Sequence, residues 1–510
     1  MLLNIHSYYS LRYGTLSLQN LTDNLILNGY DTAVLTDINN STATIDFINS
    51  CKAKGINGLA GMEFRNGDRL LYIAIAKNTN GFRAINDFAT QINRLQSAYP
   101  DTAPEWEDVY IVYPFGSRAV KALKEHEYMG IKAFQLNKIV LEPKAHHSKY
   151  VVLHPVTFSA KDYELHMQLR AIDNNILISQ LEQRQVAMAN EVMLPKAELY
   201  ALFKHFPDII RNTEKLLSDC SFDMDMKAVK NKKYFTANRY EDKELLYSLA
   251  MQGFERRYSK DDRIAYERLL NELKVIDELH FSSYFLITDD ICRFAKSKHF
   301  HYVGRGSGAN SIVAYCLGIT DVDPVALNLY FERFLNPKRK TPPDFDVDFS
   351  WNERDEIYDY IFKKYGDRHT ALMGAMSTFR SRSIIRELGK IYGLPKAEID
   401  RLVHEPQNML NKNEVTRMIL SVFNPMEDFP NQRTIHASGV LISELPITTY
   451  CALDYPPKGL GTAQIDMYTA EDIGYEKFDI LSQRGLGHIK DCRELIRINR
   501  GEIVDTNNPK

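Results

Sequence analysis

The sequence has 510 residues, with 63 lysines and arginines against 66 aspartates and glutamates, which gives a formal net charge of −3. At roughly 150 residues per domain, this length predicts about three domains. A composition of 44% hydrophobic and 25% charged residues is typical of folded globular proteins and excludes a disordered or fibrous chain. The near-zero charge also excludes a uniformly basic nucleic-acid-binding protein, so any contact with nucleic acid must come from local basic patches.

The six cysteines are scattered without a C-x-x-C pair, which argues against a zinc ribbon or a disulfide framework and fits a reducing compartment. The N-terminal residues MLLNIHSYYS lack the basic and apolar regions of a secretory signal. No stretch reaches the roughly 18 apolar residues of a membrane span. The sequence therefore predicts a cytoplasmic protein without membrane contact.

Residues 1–228 alternate short apolar segments with helical stretches. The predicted buried strands are DTAVLTD, NGLAGMEF, RLLYIAIAK, WEDVYIVYPF and SKYVVLH. Repeated strand-then-helix units favour a parallel α/β layout and a barrel. A polar segment, MDMKAVKNKKYFTANRYED, then marks a boundary. Its lysines are interpreted as a solvated linker, with DNA contact as the alternative: Lys227, Lys230, Lys232 and Lys233.

From about residue 240 the pattern becomes helical. Apolar residues recur at helical spacing in YEDKELLYSLAMQGFERRY and in DRIAYERLLNELKVIDELH. A glycine-rich segment and an acidic strand follow, and residues 355–425 return to amphipathic helices. The segments HASGVLIS and YEKFDIL predict two further strands. These strands would rejoin the middle domain if the helical section is an insertion.

The segment 343–349, PDFDVDF, is the strongest local motif. In a strand, alternate side chains share a face, so the motif separates an acidic face from an apolar one. Several carboxylates on one face repel each other unless cations are bound, and oxygen ligands are those that Mg²⁺ prefers. Such an arrangement predicts a two-metal site for phosphoryl or nucleotidyl transfer. The acidic face holds Asp344, Asp346 and Asp348, and the apolar face holds Phe345, Val347 and Phe349.

The residues of this motif also allow two other interpretations. A calcium-binding EF-hand loop starting at Asp344 is disfavoured, because Phe349 stands at the glycine position and Asp355 at the glutamate position. A solvated acidic edge strand remains open, because charged residues protect sheet edges from pairing.

A glycine-rich segment, VGRGSGANS at 303–311, precedes the apolar helix IVAYCLGI. Glycines let the backbone approach an anion, and the N-terminus of a helix offers free N–H groups. The Ser307 hydroxyl can donate a hydrogen bond and Arg305 can neutralise phosphate charge. The match of Gly304, Gly306 and Ala309 to the dinucleotide fingerprint is weak. A plain glycine turn remains the alternative.

Together these two motifs predict a nucleotidyltransferase, because basic groups for a triphosphate stand beside carboxylates for metal. Asp479, in YEKFDIL, is expected to complete a three-carboxylate site. Lys477 is assigned to the opposite face of that strand. The intervening segment FERFLNPKRK adds Arg333, Lys338, Arg339 and Lys340.

A basic stretch at 360–395 predicts a helix in which Arg382 and Arg386 are i, i+4 neighbours. Such a face can bind a phosphate backbone, with a merely solvated helix as the alternative. The DNA-contacting residues expected here are Arg380, Arg382 and Arg386.

Four segments resemble, in order and spacing, the palm of bacterial C-family DNA polymerases, the DNA polymerase III alpha subunits. They are GRGSGANSIVAYCLGITDVDP, FERFLNPKRKTPPDFDVDF, HASGVLIS and YEKFDIL. The segments YFLITDDICRFAK and NIHSYYSLRYGTLS are also similar to that family, whose first domain is a PHP module. The resemblance implies an α/β multidomain fold: a PHP-type distorted β/α barrel, a nucleotidyltransferase (polymerase beta-like) palm with a mixed sheet, and a helical thumb inserted in the palm. The implied domains are PHP 1–228, palm 229–375 and 435–510, and thumb 376–434, with the chain ending before the fingers.

The resemblance implies template-directed DNA synthesis from dNTP onto a primer 3′-OH. Two Mg²⁺ ions would be held by Asp344, Asp346 and Asp479, which would be the catalytic residues. The triphosphate would be bound by Arg305, Gly306, Ser307, Arg333 and Lys477. The implied partners are primer-template DNA, dNTP and, for the full-length protein, the sliding clamp and other replisome subunits. Without fingers the isolated chain is expected to be inactive.

The PHP segment departs from metal-binding members of the family, whose ligands come from H-x-H, T-D-H, G-x-E and D-x-H motifs. Four ligand positions are altered, which a polynuclear site does not tolerate easily. We therefore expect a degenerate, structural PHP domain without metal, and disfavour a PHP phosphoesterase. The corresponding segments are Asn4-Ile5-His6, Thr36-Asp37-Ile38, Glu63, Leu71 and His154-Pro155-Val156. The alternative to a polymerase is a non-catalytic DNA- or protein-binding scaffold that retains the fold.

Overall fold

The computed structural model describes residues 2–336, 345–404 and 414–504. The strands are β1 Leu2–Ile5, β2 Thr32–Leu35, β3 Asn57–Asn66, β4 Arg69–Ala76, β5 Val109–Pro114, β6 Glu127–Ile131, β7 Tyr150–Val152, β8 Tyr302–Arg305, β9 Asp346–Ser350, β10 Thr370–Thr378, β11 Pro430–Ile442, β12 Leu453–Asp454, β13 Thr462–Ala463 and β14 Phe478–Gln483. The helices are α1 Leu18–Leu27, α2 Thr44–Ala53, α3 Thr79–Leu95, α4 Tyr163–Asn174, α5 Lys196–Leu202, α6 Pro207–Ser218, α7 Arg239–Arg257, α8 Arg263–Glu278, α9 Ser282–Ser297, α10 Ile312–Leu317, α11 Arg354–Tyr365, α12 Ser381–Ile391, α13 Lys396–His404, α14 Glu414–Ser421, α15 Phe423–Met426, α16 Met467–Asp472 and α17 Arg484–Arg500.

The chain divides into two compact units. Unit 1 comprises Met1–Met224, Gly374–Thr434 and Thr448–Tyr455. Unit 2 comprises Asp225–Met373, Ile435–Ile447 and Pro456–Lys510. The chain therefore passes between the units several times.

Unit 1 contains a mixed sheet of strand order β1-β2-β3-β4-β5-β6-β7. The segment after β7 returns to β1, where Val156 bridges Ile5, so the sheet curls back toward its first strand. This curled α/β sheet confirms the predicted fold class of the N-terminal region. The expectation of a parallel layout is wrong for β3, β4 and β5, which pair antiparallel. Only Gly67 and Asp68 separate β3 from β4, and a two-residue connection forces an antiparallel hairpin.

The helices between 381 and 426 belong to unit 1 and pack on α4. Their apolar residues, among them Ile384 and Leu388 of α12, share a buried cluster with Leu165 and Leu169 of α4. Gln168 of α4 also donates a hydrogen bond to the Tyr392 hydroxyl at 2.8 Å. The predicted amphipathic helices are therefore present, and their apolar faces cover α4.

Unit 2 contains a second mixed sheet of strand order β13-β10-β11-β14-β9-β8, whereas β12 lies in a segment of unit 1. The predicted alternation in the acidic strand is confirmed for the described residues: Phe345, Val347 and Phe349 are 3%, 2% and 0% exposed. These side chains join the core that α7, α9, α10 and α11 build against the sheet. The predicted helices α7, α8 and α10 and strands β11 and β14 are also observed.

None of the helices in the described ranges is both long enough and apolar enough to cross a membrane.

Replacing Phe349 by Ala should lower the unfolding free energy of unit 2 by about 3–5 kcal/mol, because the fully buried ring would leave a cavity under β9. Urea unfolding followed by Trp351 fluorescence, with Trp106 changed to Phe, measures this unit alone. Val303→Ala, at a position 46% exposed on the same sheet, is the control and should cost less than about 0.5 kcal/mol. Equal shifts in the two variants would contradict this packing.

Candidate active site

Three neighbouring strands bring an arginine and two carboxylates to one place in unit 2. On β9, Asp346 is in register with Arg305 of the antiparallel strand β8. On its other side, Asp346 is in register with Asp479 of the parallel strand β14. Since adjacent strands lie about 4.8 Å apart, the two aspartates stand side by side. The structure thus brings together residues that are far apart in the sequence.

Several residues named from the sequence lie outside the described residues. They are Asp344, the first carboxylate of the motif, and the basic residues Lys338, Arg339 and Lys340.

The Arg305 guanidinium neutralises the acidic face of β9. Its Nη1 lies 3.2 Å from Asp346 Oδ2 and its Nε lies 3.0 Å from Asp348 Oδ2. The other oxygen of Asp348, Oδ1, is buried and has no hydrogen-bond partner among the residues that the structure describes. An unpartnered buried carboxylate oxygen is costly, so this face favours the arrival of a further cation or donor.

Asp479 is held from two sides. Ser438 of β11 donates a hydrogen bond from Oγ to Asp479 Oδ1 at 2.6 Å, and Lys477 Nζ lies 2.5 Å from Asp479 Oδ2. The assignment of Lys477 to the opposite face is wrong, because residues two apart along a strand point to the same side. Ser438 was not singled out from the sequence, although it lies in the motif HASGVLIS; its partner is apparent only from the pairing of β11 with β14.

The glycine segment forms a tight turn, Gly306–Asn310, directly against Asp346. Gly306 has a φ of +72°, and a Cβ there would lie 2.8 Å from Asp346 Oδ2. A Cβ on Gly304 would lie 2.1 Å from the carbonyl oxygen of Ile319. Both positions therefore require glycine, the first for its backbone conformation and both for close approach.

The N-terminus of α10, predicted to offer free N–H groups to phosphate, is already capped by the protein. The Ala314 N–H donates to Ser311 Oγ at 3.1 Å, and the Val313 N–H donates to Glu272 Oε2 at 3.3 Å. This part of the prediction is wrong, because Ser311 caps the helix locally and Glu272 of α8, which the local sequence does not reveal, accepts a second N–H. Any anion site in this segment must use the Gly306–Asn310 turn instead.

Arg333 ends the short turn Phe331–Arg333, which packs against the Gly306–Asn310 turn. Its side chain is exposed. Ser307 is partly exposed on the glycine turn, and its backbone oxygen accepts a hydrogen bond from Asn310 Nδ2 at 2.8 Å. The segments that carry the predicted anion-binding residues therefore lie together at one edge of the sheet.

The donor set suits a hard divalent cation. Asp346 and Asp479 offer carboxylate oxygens from adjacent strands, and Asp348 adds a buried unpartnered oxygen. Within the described ranges no three His, Cys, Asp or Glu side chains are arranged to hold a metal ion. Arg305 and Lys477 neutralise the carboxylates instead.

The basic helix α12 belongs to unit 1. Arg382 and Arg386 are exposed, one turn apart, while Ile384, Ile385 and Leu388 are buried on the other side. Arg380, which precedes the helix, forms an ion pair with Asp428. The exposed pair is thus available to a polyanion, and Arg380 is partly neutralised.

The altered ligand positions of the N-terminal region form a closed hydrogen-bond network in unit 1. Asn4 donates to Glu63 Oε2 at 2.7 Å, and His6 Nε2 lies 3.0 Å from the same oxygen. Arg65 forms an ion pair with Glu63, and its guanidinium lies 4.4 Å from the centre of the Tyr13 ring. Burial would raise the pKa of Glu63, but Arg65 and His6 outweigh it and lower that pKa to about 2. Arg65 was not singled out from the sequence.

The other two ligand segments are also engaged within the protein. Both oxygens of Asp37 accept hydrogen bonds from Ser7, and Ser10 donates to Oδ1 at 2.6 Å. His154 Nε2 lies 2.8 Å from the carbonyl oxygen of Val192. A guanidinium and neutral donors thus satisfy the acids that a metal cluster would otherwise bind.

Comparison with known proteins identifies two domains. Residues 3–142 match the family described as PHP domain, and residues 244–482 match the family described as Bacterial DNA polymerase III alpha NTPase domain. The chain belongs to the bacterial C-family DNA polymerases. The second match contains β8, β9 and β14, so all the described carboxylates of the site lie in the polymerase domain.

Relatives of this family align over nearly the whole chain. The DNA polymerase III subunit alpha of Ureaplasma parvum is 29% identical and aligns with 99% of this chain and 52% of its own length. That of Bacillus subtilis is 27% identical, with coverages of 99% and 50%. An error-prone DNA polymerase of Symbiobacterium thermophilum is 25% identical, with coverages of 96% and 52%. The chain spans about half the length of the relatives it matches.

Changing Glu272 to Gln should remove a pH dependence from the stability of unit 2. Burial raises the pKa of Glu272 from 4.5 to about 7, although Ser311 and Arg268 lower it. The folded state therefore binds this proton more tightly than the unfolded state, so the unfolding free energy falls as pH rises from about 4.5 to about 7. Urea unfolding at several pH values, read from Trp351, should show a flatter profile in Glu272→Gln. The exposed neighbour Glu267→Gln is the control; an equally steep profile in Glu272→Gln would contradict the assignment.

Replacing Arg65 by Met should lower the unfolding free energy of unit 1 by about 3–5 kcal/mol, because Glu63 would stay buried without its cation. Urea unfolding read from Trp106, with Trp351 changed to Phe, measures the loss. The double variant Arg65→Met, Glu63→Gln removes both charges and should recover a large part of it. If the double variant is no more stable than the single one, the pairing of the two charges does not explain the loss.

Proposed function

We propose that the full-length protein catalyses template-directed DNA synthesis and that this chain supplies its catalytic carboxylates. The observation that carries the proposal is the register of β9 between β8 and β14, which sets Asp346 beside Asp479 and Arg305. The domain match from 244 to 482, which contains these three strands, supports the same conclusion.

The proposed catalytic residues and metal ligands are Asp344, Asp346 and Asp479. Two Mg²⁺ ions bound there would act as Lewis acids on the primer 3′ oxygen and the phosphate oxygens. Ser438 would keep one oxygen of Asp479 oriented, because it already donates to Oδ1. Lys477 and Arg305 each pair with a carboxylate of the site, so each can turn toward a phosphate once a metal neutralises that carboxylate.

The proposed triphosphate-binding residues are Arg305, Gly306, Ser307, Arg333 and Lys477. The Gly306–Asn310 turn stands directly against Asp346, so a phosphate bound by this turn would lie close to the carboxylates. Arg333, on the adjacent exposed turn, adds positive charge on the solvent side. Most of the catalysis would then be positioning and charge neutralisation.

The remaining segments have proposed roles in binding rather than chemistry. We assign residues 229–375 and 435–510 to the palm and residues 1–228 to a metal-free structural PHP domain. Residues 376–434 are assigned to a thumb, which would contact duplex DNA through Arg380, Arg382 and Arg386. In the PHP domain the ion pair of Arg65 with Glu63 supports a structural role, because it supplies the positive charge that metal ions would provide. For the whole protein, primer-template DNA, dNTP, the sliding clamp and other replisome subunits are the proposed partners, in the cytoplasm.

Changing Asp346 to Asn in the full-length protein should lower primer extension by about a thousandfold or more, because metal-ion stabilisation of the transition state is worth several kcal/mol. The matched control is Asp355→Asn, at an exposed aspartate of α11 that pairs with Lys458 and should leave synthesis unchanged. Primer-template affinity, measured in the same samples, separates the alternatives. Retained synthesis by Asp346→Asn would refute the catalytic assignment. If the unchanged full-length protein binds DNA independently of Mg²⁺ and synthesises none, a scaffold role would be favoured instead.

A further inference from the structure

A cavity of about 540 Å³ lies in unit 2 behind the start of β14. One wall comes from the segment 228–234, and it includes Lys232 and Lys233, two of the lysines interpreted as a solvated linker. The facing wall is formed by residues 279–284 and by Phe478, the first residue of β14. This volume is in the range of small-molecule sites, roughly 300–1,000 Å³. Part of the segment predicted as a solvated linker therefore lines a cavity.

The inner surface of the cavity is aromatic. Tyr284 stacks on Phe478, with ring centroids 4.5 Å apart and an angle of 27° between the planes. Behind it, Phe345 stacks on Tyr284 at 5.7 Å. Phe281 completes the lining and is only 4% exposed. Because Tyr284 is stacked on both sides, the rings offer a ligand their edges, which favours an edge-on contact with an aromatic ring.

The entrance carries an excess of positive charge. Lys232, Lys233 and Arg239 all line the cavity. Arg239 is paired with Asp277 at 3.1 Å, but neither Lys232 nor Lys233 has an ion-pair partner in the described part of the chain. The lining carboxylate, Asp242, is engaged elsewhere: it accepts hydrogen bonds from the Phe235 N–H at 2.9 Å and the Thr236 N–H at 2.7 Å. Lys232 and Lys233 are therefore the lining cations left to bind an anion, with Glu444 Oε2 accepting from the Lys233 N–H at 2.8 Å.

The cavity walls also hold the residues that lead into Asp479. Asn231 donates to the Glu476 carbonyl oxygen at 2.6 Å and accepts from the Glu476 N–H at 2.8 Å. The Tyr284 hydroxyl donates to the Lys477 carbonyl oxygen at 3.2 Å. A ligand between these walls would restrain the backbone from which Lys477 and Asp479 project.

We propose that this cavity is a binding site for a small planar aromatic anion, a ring that bears a carboxylate, sulfonate or phosphate group. The ring packs on Phe281, Tyr284 and Phe478, and the anionic group binds Lys232 and Lys233. Occupancy stiffens the backbone of the 476–479 segment. Binding of this ligand does not require DNA synthesis by the full-length protein.

Two probes of the same ring system separate the aromatic and ionic contributions: naphthalene-1-sulfonate and the neutral 1-naphthalenemethanol. Isothermal titration calorimetry on the full chain should show the sulfonate binding at least about tenfold more tightly, since a hydrogen bond to a charged group is worth about that factor. The double variant Lys232→Gln, Lys233→Gln should reduce this advantage to about threefold or less. Lys227→Gln, an exposed lysine of the same segment outside the cavity, is the matched control and should bind as the unchanged protein does.

A second variant tests the cavity itself. Leu279→Trp, at a half-buried lining position, should fill part of the space and weaken both probes at least about tenfold. Hydrogen exchange of the 477–483 amides should slow at saturating naphthalene-1-sulfonate in the unchanged protein. Equal affinities for the two probes, or sulfonate binding unaffected by the double lysine variant or by Leu279→Trp, would overturn the proposed site. Unchanged exchange at 477–483 would overturn the link to β14.

Discussion

The site depends on the parallel pairing of β9 with β14, which sets the carboxylates of Asp346 and Asp479 side by side. Like charges at this spacing repel, so the fold must supply compensating groups. Arg305 supplies one from β8, and Lys477 supplies the other from the residue before β14. The apolar faces of the same strands, buried against the helices of unit 2, hold the acidic faces in this register despite the repulsion. The burial of apolar side chains on one face of the sheet thus offsets the repulsion between the carboxylates on the other face.

Unit 1 also contains a buried carboxylate that must be neutralised, and it does so with a buried cation. Glu63 is fully buried in the curled sheet, and the neighbouring Arg65 provides its counter-charge, with Asn4 and His6 as hydrogen-bond partners. In unit 2 one of the two cations is partly exposed: 46% of the Arg305 side chain is accessible, against 14% for Lys477 and 11% for Arg65. Of these three cations, Arg305 can therefore exchange partners most readily.

Close backbone approach is the second constraint on the site. The Gly306–Asn310 turn lies against Asp346 only because Gly306 has no side chain, while Ser311 and Glu272 take the N–H groups of the following helix. An incoming anion would therefore meet the turn and the cations around it rather than a helix terminus. On the other side of β14, Asn231 and Tyr284 bind the backbone of Glu476 and Lys477. Asn231 and Tyr284 thus fix the backbone that leads into the strand carrying Asp479.

The sequence by itself determined the local periodic features: the alternation of acidic and apolar residues in 345–349, the amphipathic helices α7, α8 and α12, and the motifs that place the chain in its family. These follow from residues near one another in the chain, whose spacing fixes which face they share. Only the tertiary structure decided the antiparallel pairing of β4 with β5, the contact of Glu272 with the N-terminus of α10, the hydrogen bond from Ser438 to Asp479 and the position of Arg65 beside Glu63 and Tyr13. Most of these join segments distant in sequence, and Arg65, although close to Glu63, takes its place only when β1, β3 and the Tyr13 loop pack together. No local pattern encodes which distant side chain completes a hydrogen bond or neutralises a charge.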